Sequence, residues 1–241
     1  MNKFFKRAAA GLLATAFAAT TFTVDVQPAQ AFGLGEVLKG VGGVLGIGGD
    51  PQKAHDKMLE NFYYSISLLD AAYKNVVTAT DDSIANKEII ATNQVVQSTL
   101  KSNDAGTNMK NGAEQKKQQA EAAKKALSDA IASGDEEKLK QIDEFVKTAN
   151  SQRTTSDFMA GVASAQAGMI MASSAKNIAT GNLSGLGDMV TVAKEVEALL
   201  KVRSEQSKLL KDATQEYRKT RGIKDPGKKE QKAAAEAIEK G

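Results

Sequence analysis

Residues 51–79 read PQKAHDKMLENFYYSISLLDAAYKNVVTA, and this stretch decides the fold class. Its large apolar residues recur three or four positions apart, at Met58, Phe62, Ile66, Leu69, Tyr73 and Val76. That period places them on one face of a helix that packs against neighbours. Asp50 and Pro51 are residue types that open helices. The sequence therefore predicts a long amphipathic helix over 51–79.

Similar apolar periods continue along the chain, separated by turn residues. They predict further helices over about 83–103, 113–132, 135–179 and 188–222, and a short one after a second Asp-Pro start at 225–226. Gly134 and Gly222 are expected to end the helices before them, and Asp135 to cap the helix that follows. Alanine, lysine, glutamate and glutamine are abundant, as in helical bundles. We predict an all-α fold: an elongated antiparallel bundle of four to five long helices with coiled-coil-like seams.

The first 31 residues differ in character from the rest. Lys3, Lys6 and Arg7 form a basic start, an uncharged apolar run follows over 8–19, and Ala29-Gln30-Ala31 places small residues at a cleavage site. This order is typical of a bacterial secretory signal peptide, and the apolar run is shorter than the roughly 20 residues of a bilayer span. We expect cleavage after Ala31 and a periplasmic or secreted product. An uncleaved amphipathic anchor is the alternative.

The net charge offers no reason to expect a nucleic-acid partner. The chain has 32 basic and 29 acidic residues, and the signal segment contains three of the basic and one of the acidic ones. The remainder has 29 basic and 28 acidic residues, whereas nucleic-acid binding needs a concentrated basic face. Lys228, Lys229 and Lys232 form a small basic patch, which is either a solvated terminus or a contact for anionic lipid or cell-wall polymer.

Several catalytic chemistries lack their residues. The chain has no cysteine and a single histidine, His55, expected in the first turns of a helix. Cys-His nucleophile pairs and zinc sites built on cysteine or histidine are therefore excluded. Acidic residues cluster at 135–137 and 143–144, but their spacing fits no calcium loop, and acids favour helix N-termini for electrostatic reasons. We expect no catalytic residue, no metal and no cofactor.

Residues 33–49 read GLGEVLKGVGGVLGIGG, and eight of these seventeen are glycine. Each interior glycine costs a helix about 1 kcal/mol relative to alanine, so we expect an apolar arm rather than a stable isolated helix. Gly42 and Gly46 have a GxxxG spacing and form a candidate membrane or helix-packing face. The arm either inserts in lipid, docks on a partner, packs on its own bundle or is a disordered linker.

Residues 158–175 read FMAGVASAQAGMIMASSA and carry no charge. Gly161, Ala165, Gly168 and Ala172 recur at steps of four, three and four, which makes a smooth helix face that another backbone can approach closely. This candidate packing face belongs either to the centre of a bundle or to a segment that enters a membrane.

Tyr63 and Tyr64 stand side by side on the first helix. We expect one ring to lie against the core edge and the other to face water, and we treat both as a candidate partner contact.

The predicted organisation is a cleaved signal peptide (1–31), a glycine-rich arm (32–50), a helical bundle domain (51–222) and a polar tail or short helix (223–241). The expected function is that of an exported non-enzymatic binding or structural protein, with an unidentified protein partner or a second copy as its ligand. The alternative is a membrane-active protein that inserts 158–187. Its architecture alone resembles that of helical pore-forming toxins, and no residue-level motif supports the resemblance.

Overall fold

The computed structural model describes residues 51–99, 111–179 and 186–240. The predicted signal peptide and the glycine-rich arm, with Gly42 and Gly46, lie outside these ranges. The described ranges hold six helices and no strand: α1 (Pro51–Ala79), α2 (Thr92–Thr99), α3 (Ala113–Ser133), α4 (Glu136–Ala179), α5 (Leu186–Thr220) and α6 (Lys228–Lys240). The helices pack against one another, so the prediction of an all-α helical bundle is confirmed.

Helix α1 is the centre of the fold. It packs along α4, and it also contacts α2, α3 and α5. The predicted apolar stripe is buried along its whole length, from Met58 to Val76. Burying side chains of this size stabilises the fold by about 1.5–3 kcal/mol each, which explains why this helix organises the others.

The core has two main parts along α1. In the first, the N-terminal half of α1 packs against the second half of α4 and the first half of α5, through residues such as Phe62, Ile170 and Val196. In the second, the C-terminal half of α1 meets α3, the first half of α4 and the second half of α5. Helix α3 thus covers only one end of the assembly.

The predicted helix ends at Gly134 and Gly222 are confirmed. Both glycines adopt a positive φ, +67° and +68°, which side chains with a Cβ rarely adopt. Asp135 caps α4 as predicted, because its Oδ1 accepts hydrogen bonds of 3.1 Å from the N–H groups of Glu137 and Lys138. Local sequence chemistry therefore sets these boundaries.

The prediction of one helix over 83–103 is wrong. The chain forms a single 3-10 turn at Ile84–Asn86, continues without helix to residue 91, and resumes as the short α2. The backbone of Ile90 is held by Asn75 of α1, whose side chain accepts the Ile90 N–H at 2.9 Å and donates to its carbonyl at 3.0 Å. Gln152 of α4 donates to the same carbonyl at 2.7 Å. These side chains replace the partners that a helix would supply.

The prediction of a helix start at Asp225-Pro226 is also wrong by about two residues. Helix α6 begins at Lys228, and the carbonyl of Gly227 accepts its first hydrogen bond, from the Gln231 N–H at 3.0 Å. Glu230 reaches back to accept the Gly227 N–H at 2.8 Å, as in half of a capping box. Asp225 is unavailable as a cap because its carboxylate pairs with two arginines.

Candidate functional site

The middle of α4 carries a run of buried polar residues. Asn150, Gln152, Arg153, Thr154, Thr155 and Ser156 are all buried, although they are consecutive but for one position. A helix buries so many neighbours only where other elements surround it, and α4 is packed here between α1, α5 and α6. Buried polar groups need hydrogen-bond partners, so this run of residues requires a network of hydrogen bonds to the surrounding helices.

Arg203 of α5 is the most deeply buried charged residue of that network, with 2% of its side chain exposed. It donates one hydrogen bond of 2.6 Å to Asp157 and another of 2.5 Å to the hydroxyl of Ser156. Ser156 in turn donates to the backbone carbonyl of Ser65 in α1. This chain of contacts joins α1, α4 and α5 at one level of the bundle.

Asp157 connects these contacts to a second set of contacts, which involves Arg153 and Asp225. Its Oδ1 accepts from Arg203 and from Ser207 at 2.7 Å, and its Oδ2 accepts from Arg153 at 2.8 Å. Arg153 also donates to Asp225, at 3.2 Å, in the segment between α5 and α6. The aspartates remain 39% and 49% exposed, so each bridges buried guanidinium groups to water.

Arg218 completes the network from the end of α5. It donates to Asp225 and, at 2.9 Å, to the side-chain oxygen of Asn150, which also accepts from Arg153 at 3.1 Å. Three guanidinium groups therefore share two carboxylates and one amide. We call these six residues the arginine network: Asn150, Arg153, Asp157, Arg203, Arg218 and Asp225.

Burial and pairing act in opposite directions on the pKa values of this network. Burial lowers the pKa of Arg203 and of Arg153, and the neighbouring Asp157 opposes this in both. Burial raises the pKa of Asp225. The hydrogen bond and charge of Arg218, together with the charge of Arg153, lower it by more, so the pKa of Asp225 is below its ordinary value. A carboxylate held in its ionised form by two arginines is a structural ion-pair partner rather than a general acid.

A second polar cluster uses the acids near the start of α4. Arg221 donates to Asp143 at 3.0 Å and to Glu136 at 3.0 Å. The hydroxyl of Tyr217 donates to Asp143 at 2.9 Å, and burial followed by this contact raises the pKa of the tyrosine. Glu136 and Asp143, two of the acidic residues noted in the sequence, thus fasten the end of α5 to α4. Within 51–99, 111–179 and 186–240, no group of three or more acidic or histidine side chains is placed to hold a metal ion.

A shallow cleft of about 280 Å³ lies between α1 on one side and α2, with the segment that leads into it, on the other. Ser67, Asp70, Ala71, Lys74, Ile90, Gln94 and Val95 line it. Asp70 pairs with Lys116 of α3. His55 lies elsewhere, near the start of α1, with its Nδ1 3.4 Å from Asp56. No histidine is among the residues that line this cleft.

The predicted small-residue face lies on the outer side of α4. Gly168 and Ala172 are exposed and Gly161 and Ala165 are partly exposed, whereas Ala163, Ala167 and Ile170 on the opposite side are buried in the core. A Cβ added at Gly161 or Gly168 would meet no atom within 4 Å. Among the described residues, this face is therefore directed away from the helices of the bundle. None of the described helices combines the length and the apolar character needed to cross a membrane.

Tyr63 and Tyr64 are both buried, so the expectation that one of them faces water is wrong. Tyr63 packs in the core with Phe62, and burial raises the pKa of its phenol to about 12. Tyr64 packs with Leu68, Met159 and Ala235 of α6. The second ring lies in a cluster to which α2, α4 and α6 contribute, and helical periodicity does not reveal such long-range contacts.

The sequence prediction missed the arginine network, although one signal was present. The chain has 32 basic residues but only five arginines, and the four after Arg7 are Arg153, Arg203, Arg218 and Arg221. All four form internal pairs with carboxylates. Arginine suits such sites because its planar fork binds several acceptors and it tolerates burial better than lysine.

Comparisons of the chain with protein-family models, with curated proteins and with solved structures give no match, so its function has to be argued from its own residues.

Proposed function

We propose that this chain is an exported, non-enzymatic helical protein that acts through protein–protein contacts, in the bacterial envelope or outside the cell. The observation that carries the proposal is the outer face of α4, which is uncharged over 158–175 and open at Gly161 and Gly168. The sequence pattern of a secretory signal over 1–31 supports export. The second half of α4 meets the first half of α5, and the first half of α4 meets the second half of α5, which supports an elongated antiparallel bundle.

The α4 outer face differs from the other exposed helix surfaces. Exposed positions of α5, such as Lys194, Lys201, Glu205 and Lys208, carry charges, as is usual for a solvated helix. The α4 outer face instead presents small side chains, with the partly buried Met171 packed against the core at its edge. Small residues let a second helix approach closely and bury backbone as well as side chains. This supports a helical partner, or a second copy of the chain.

The polar clusters support a binding rather than a catalytic role. Each carboxylate of the arginine network accepts from two arginines, and Asp143 is held by Arg221 and Tyr217. Such groups stabilise a rigid scaffold, and a rigid scaffold lowers the entropic cost of presenting a preformed surface.

Mutation of the glycines tests the α4 outer face without disturbing the core. Gly161→Glu and Gly168→Glu place charges where an added Cβ meets nothing, so the bundle should remain folded. Wild type, this double variant and a control with Lys201→Glu and Lys208→Glu on α5 are compared by cross-linking in the native envelope and by light scattering. We expect a specific cross-linked partner or dimer with wild type and control, and its loss in the glycine variant.

The same variants also separate this proposal from the membrane-active alternative. Insertion of 158–187 requires α4 to release Ala163, Ala167 and Ile170 from the core, because all three are buried there. Leakage of lipid vesicles caused by the processed chain, and abolished by the glycine variant, would favour insertion. Equal cross-linking by wild type and the glycine variant would refute a contact through α4.

A further inference from the structure

We propose that the junction between α5 and α6 is a docking surface for an anionic lipid bilayer. Five lysines form this surface, which we call the junction patch: Lys219, Lys224, Lys228, Lys229 and Lys232. It is separate from the α4 outer face and adds a second contact to the proposed function. The proposal rests on where the structure directs the charges of this region.

The junction carries more basic than acidic residues. Residues 218–232 read RKTRGIKDPGKKEQK, with seven basic and two acidic residues. Asp225 accepts from Arg153 and Arg218, and Glu230 accepts from the N–H of Gly227. The guanidinium groups of Arg218 and Arg221 are directed into internal pairs. Asp225 and Glu230 themselves stay open to water, so the exposed surface of the junction combines its lysines with these two carboxylates and keeps a net positive charge.

Four of the five lysines are exposed and the fifth is partly exposed, and the fold holds the segment that connects their helices in place. Lys219, Lys224, Lys228 and Lys229 are exposed, and the side chain of Lys232 is 42% exposed, 3.8 Å from Glu236. The connecting segment is fastened to α4 twice, because Asn150 donates to the carbonyl of Lys224 at 3.2 Å and Asp225 pairs with Arg153. The end of α5 and the start of α6 are thereby fixed in one place. The acids at its border are Glu216 and Glu236.

The residue type and the setting favour a bilayer over a shaped ligand. Lysine is a flexible point charge that binds a diffuse array of phosphates, whereas bidentate recognition of one phosphate uses arginine. The patch lies on two helix ends and a connecting segment, and none of its residues lines the cleft beside α2. Each lysine close to an anionic membrane surface strengthens binding about fivefold. An exported protein meets such surfaces in the envelope.

Binding of the processed chain to vesicles tests the proposal. The vesicles contain either phosphatidylcholine alone or phosphatidylcholine with phosphatidylglycerol. The test variant combines Lys219→Gln, Lys224→Gln and Lys229→Gln. The matched control combines Lys194→Gln, Lys201→Gln and Lys208→Gln on the exposed side of α5, which removes the same net charge. Thermal melting followed by circular dichroism confirms that both variants fold.

We expect wild type and control to bind the anionic vesicles with similar affinity and the junction variant to bind about 100-fold more weakly. Raising salt from about 0.1 M to about 1 M should abolish the binding, because the Debye length falls from about 10 Å to about 3 Å. The proposal is overturned if wild type does not bind, if neutral vesicles bind equally, or if both variants lose affinity alike. Equally tight binding of soluble polyphosphate would overturn the assignment to a bilayer.

Discussion

Arg203 of α5 donates a 2.6 Å hydrogen bond to Asp157 of α4, joining a guanidinium group that is 2% exposed to a carboxylate that reaches water. The contact sets the register of the two helices, because a shift along either one would leave a charge buried without its partner. Such a loss costs several kcal/mol. Apolar side chains alone tolerate sliding far better, so polar pairs of this kind select one arrangement.

Replacing Arg203 by methionine is expected to destabilise the fold by about 3 kcal/mol, because Ser156 loses its buried donor and Asp157 loses one of its two arginines. The value lies at the low end of the range for buried pairs because Asp157 keeps access to water. Urea denaturation measures the change. Lys201→Met, at an exposed position of the same helix, serves as the control. Equal stability of the two variants would contradict the structural role of the pair.

The Asp225→Asn variant should change how stability depends on pH. The pKa of Asp225 is lowered in the folded state, so its contribution is complete above the unfolded value of about 4 and is lost as pH falls through the lower folded value. At neutral pH we expect a loss of about 1 kcal/mol or less, because the carboxylate is half exposed. The difference from wild type should shrink in acid.

Urea unfolding at neutral and at acidic pH checks this prediction for Asp225. Asp212→Asn on the exposed side of α5 removes the same charge without touching the network. A difference from wild type that stays constant down to acidic pH would contradict the assigned pairing.

Glycine-to-alanine substitutions should have opposite signs at two positions. Gly168→Ala is expected to stabilise the chain by about 0.5–1 kcal/mol, since the position is helical and a Cβ there meets nothing. Gly134→Ala should destabilise it by at least about 1 kcal/mol, because its φ of +67° is strained for alanine. Thermal melting distinguishes the two outcomes. A stabilising effect at Gly134 would show that α3 does not end in the way described.

Removing the side chain of Asn75 should release the segment that precedes α2. Asn75→Ala deletes both hydrogen bonds to the backbone of Ile90 and one of 2.9 Å to Gln152, and we expect a loss of about 2–3 kcal/mol. Limited proteolysis should then cut within 87–91. The exposed Asn93→Ala is the matched control, and faster cleavage in both variants would contradict the specific role of Asn75.

Much of the fold could be predicted from local sequence, and particular residues show which features could not. The stripe from Met58 to Val76, the stop at Gly134 and the cap at Asp135 depend on neighbours within a few positions, so pattern and propensity reveal them. The break after residue 83 depends on Asn75 and Gln152, which are distant in sequence from Ile90. Likewise, Tyr64 is buried in a cluster to which α2, α4 and α6 all contribute.

For the candidate surfaces the same division holds. The uncharged run at 158–175 is visible in the sequence. Which side of that helix faces the core is not, because both sides carry small or apolar residues. Only the packing of Ala163, Ala167 and Ile170 leaves Gly161 and Gly168 on the outside. The lysines at the end of α5 are likewise visible, whereas the pairing of Asp225 with Arg153 joins residues that are far apart in the chain.

The sequence by itself determined the helical fold class, the principal helix boundaries and the lack of cysteine-based or multi-histidine chemistry, since period, capping and composition act locally. Tertiary structure alone decided which polar residues became buried partners and which faces remained open. The physical reason is that desolvation penalises every buried charge without a partner, so the arginines and carboxylates must find one another across helices. The contacts of Arg203 with Asp157 and of Arg153 with Asp225 join residues far apart in the chain, and no local pattern encodes them.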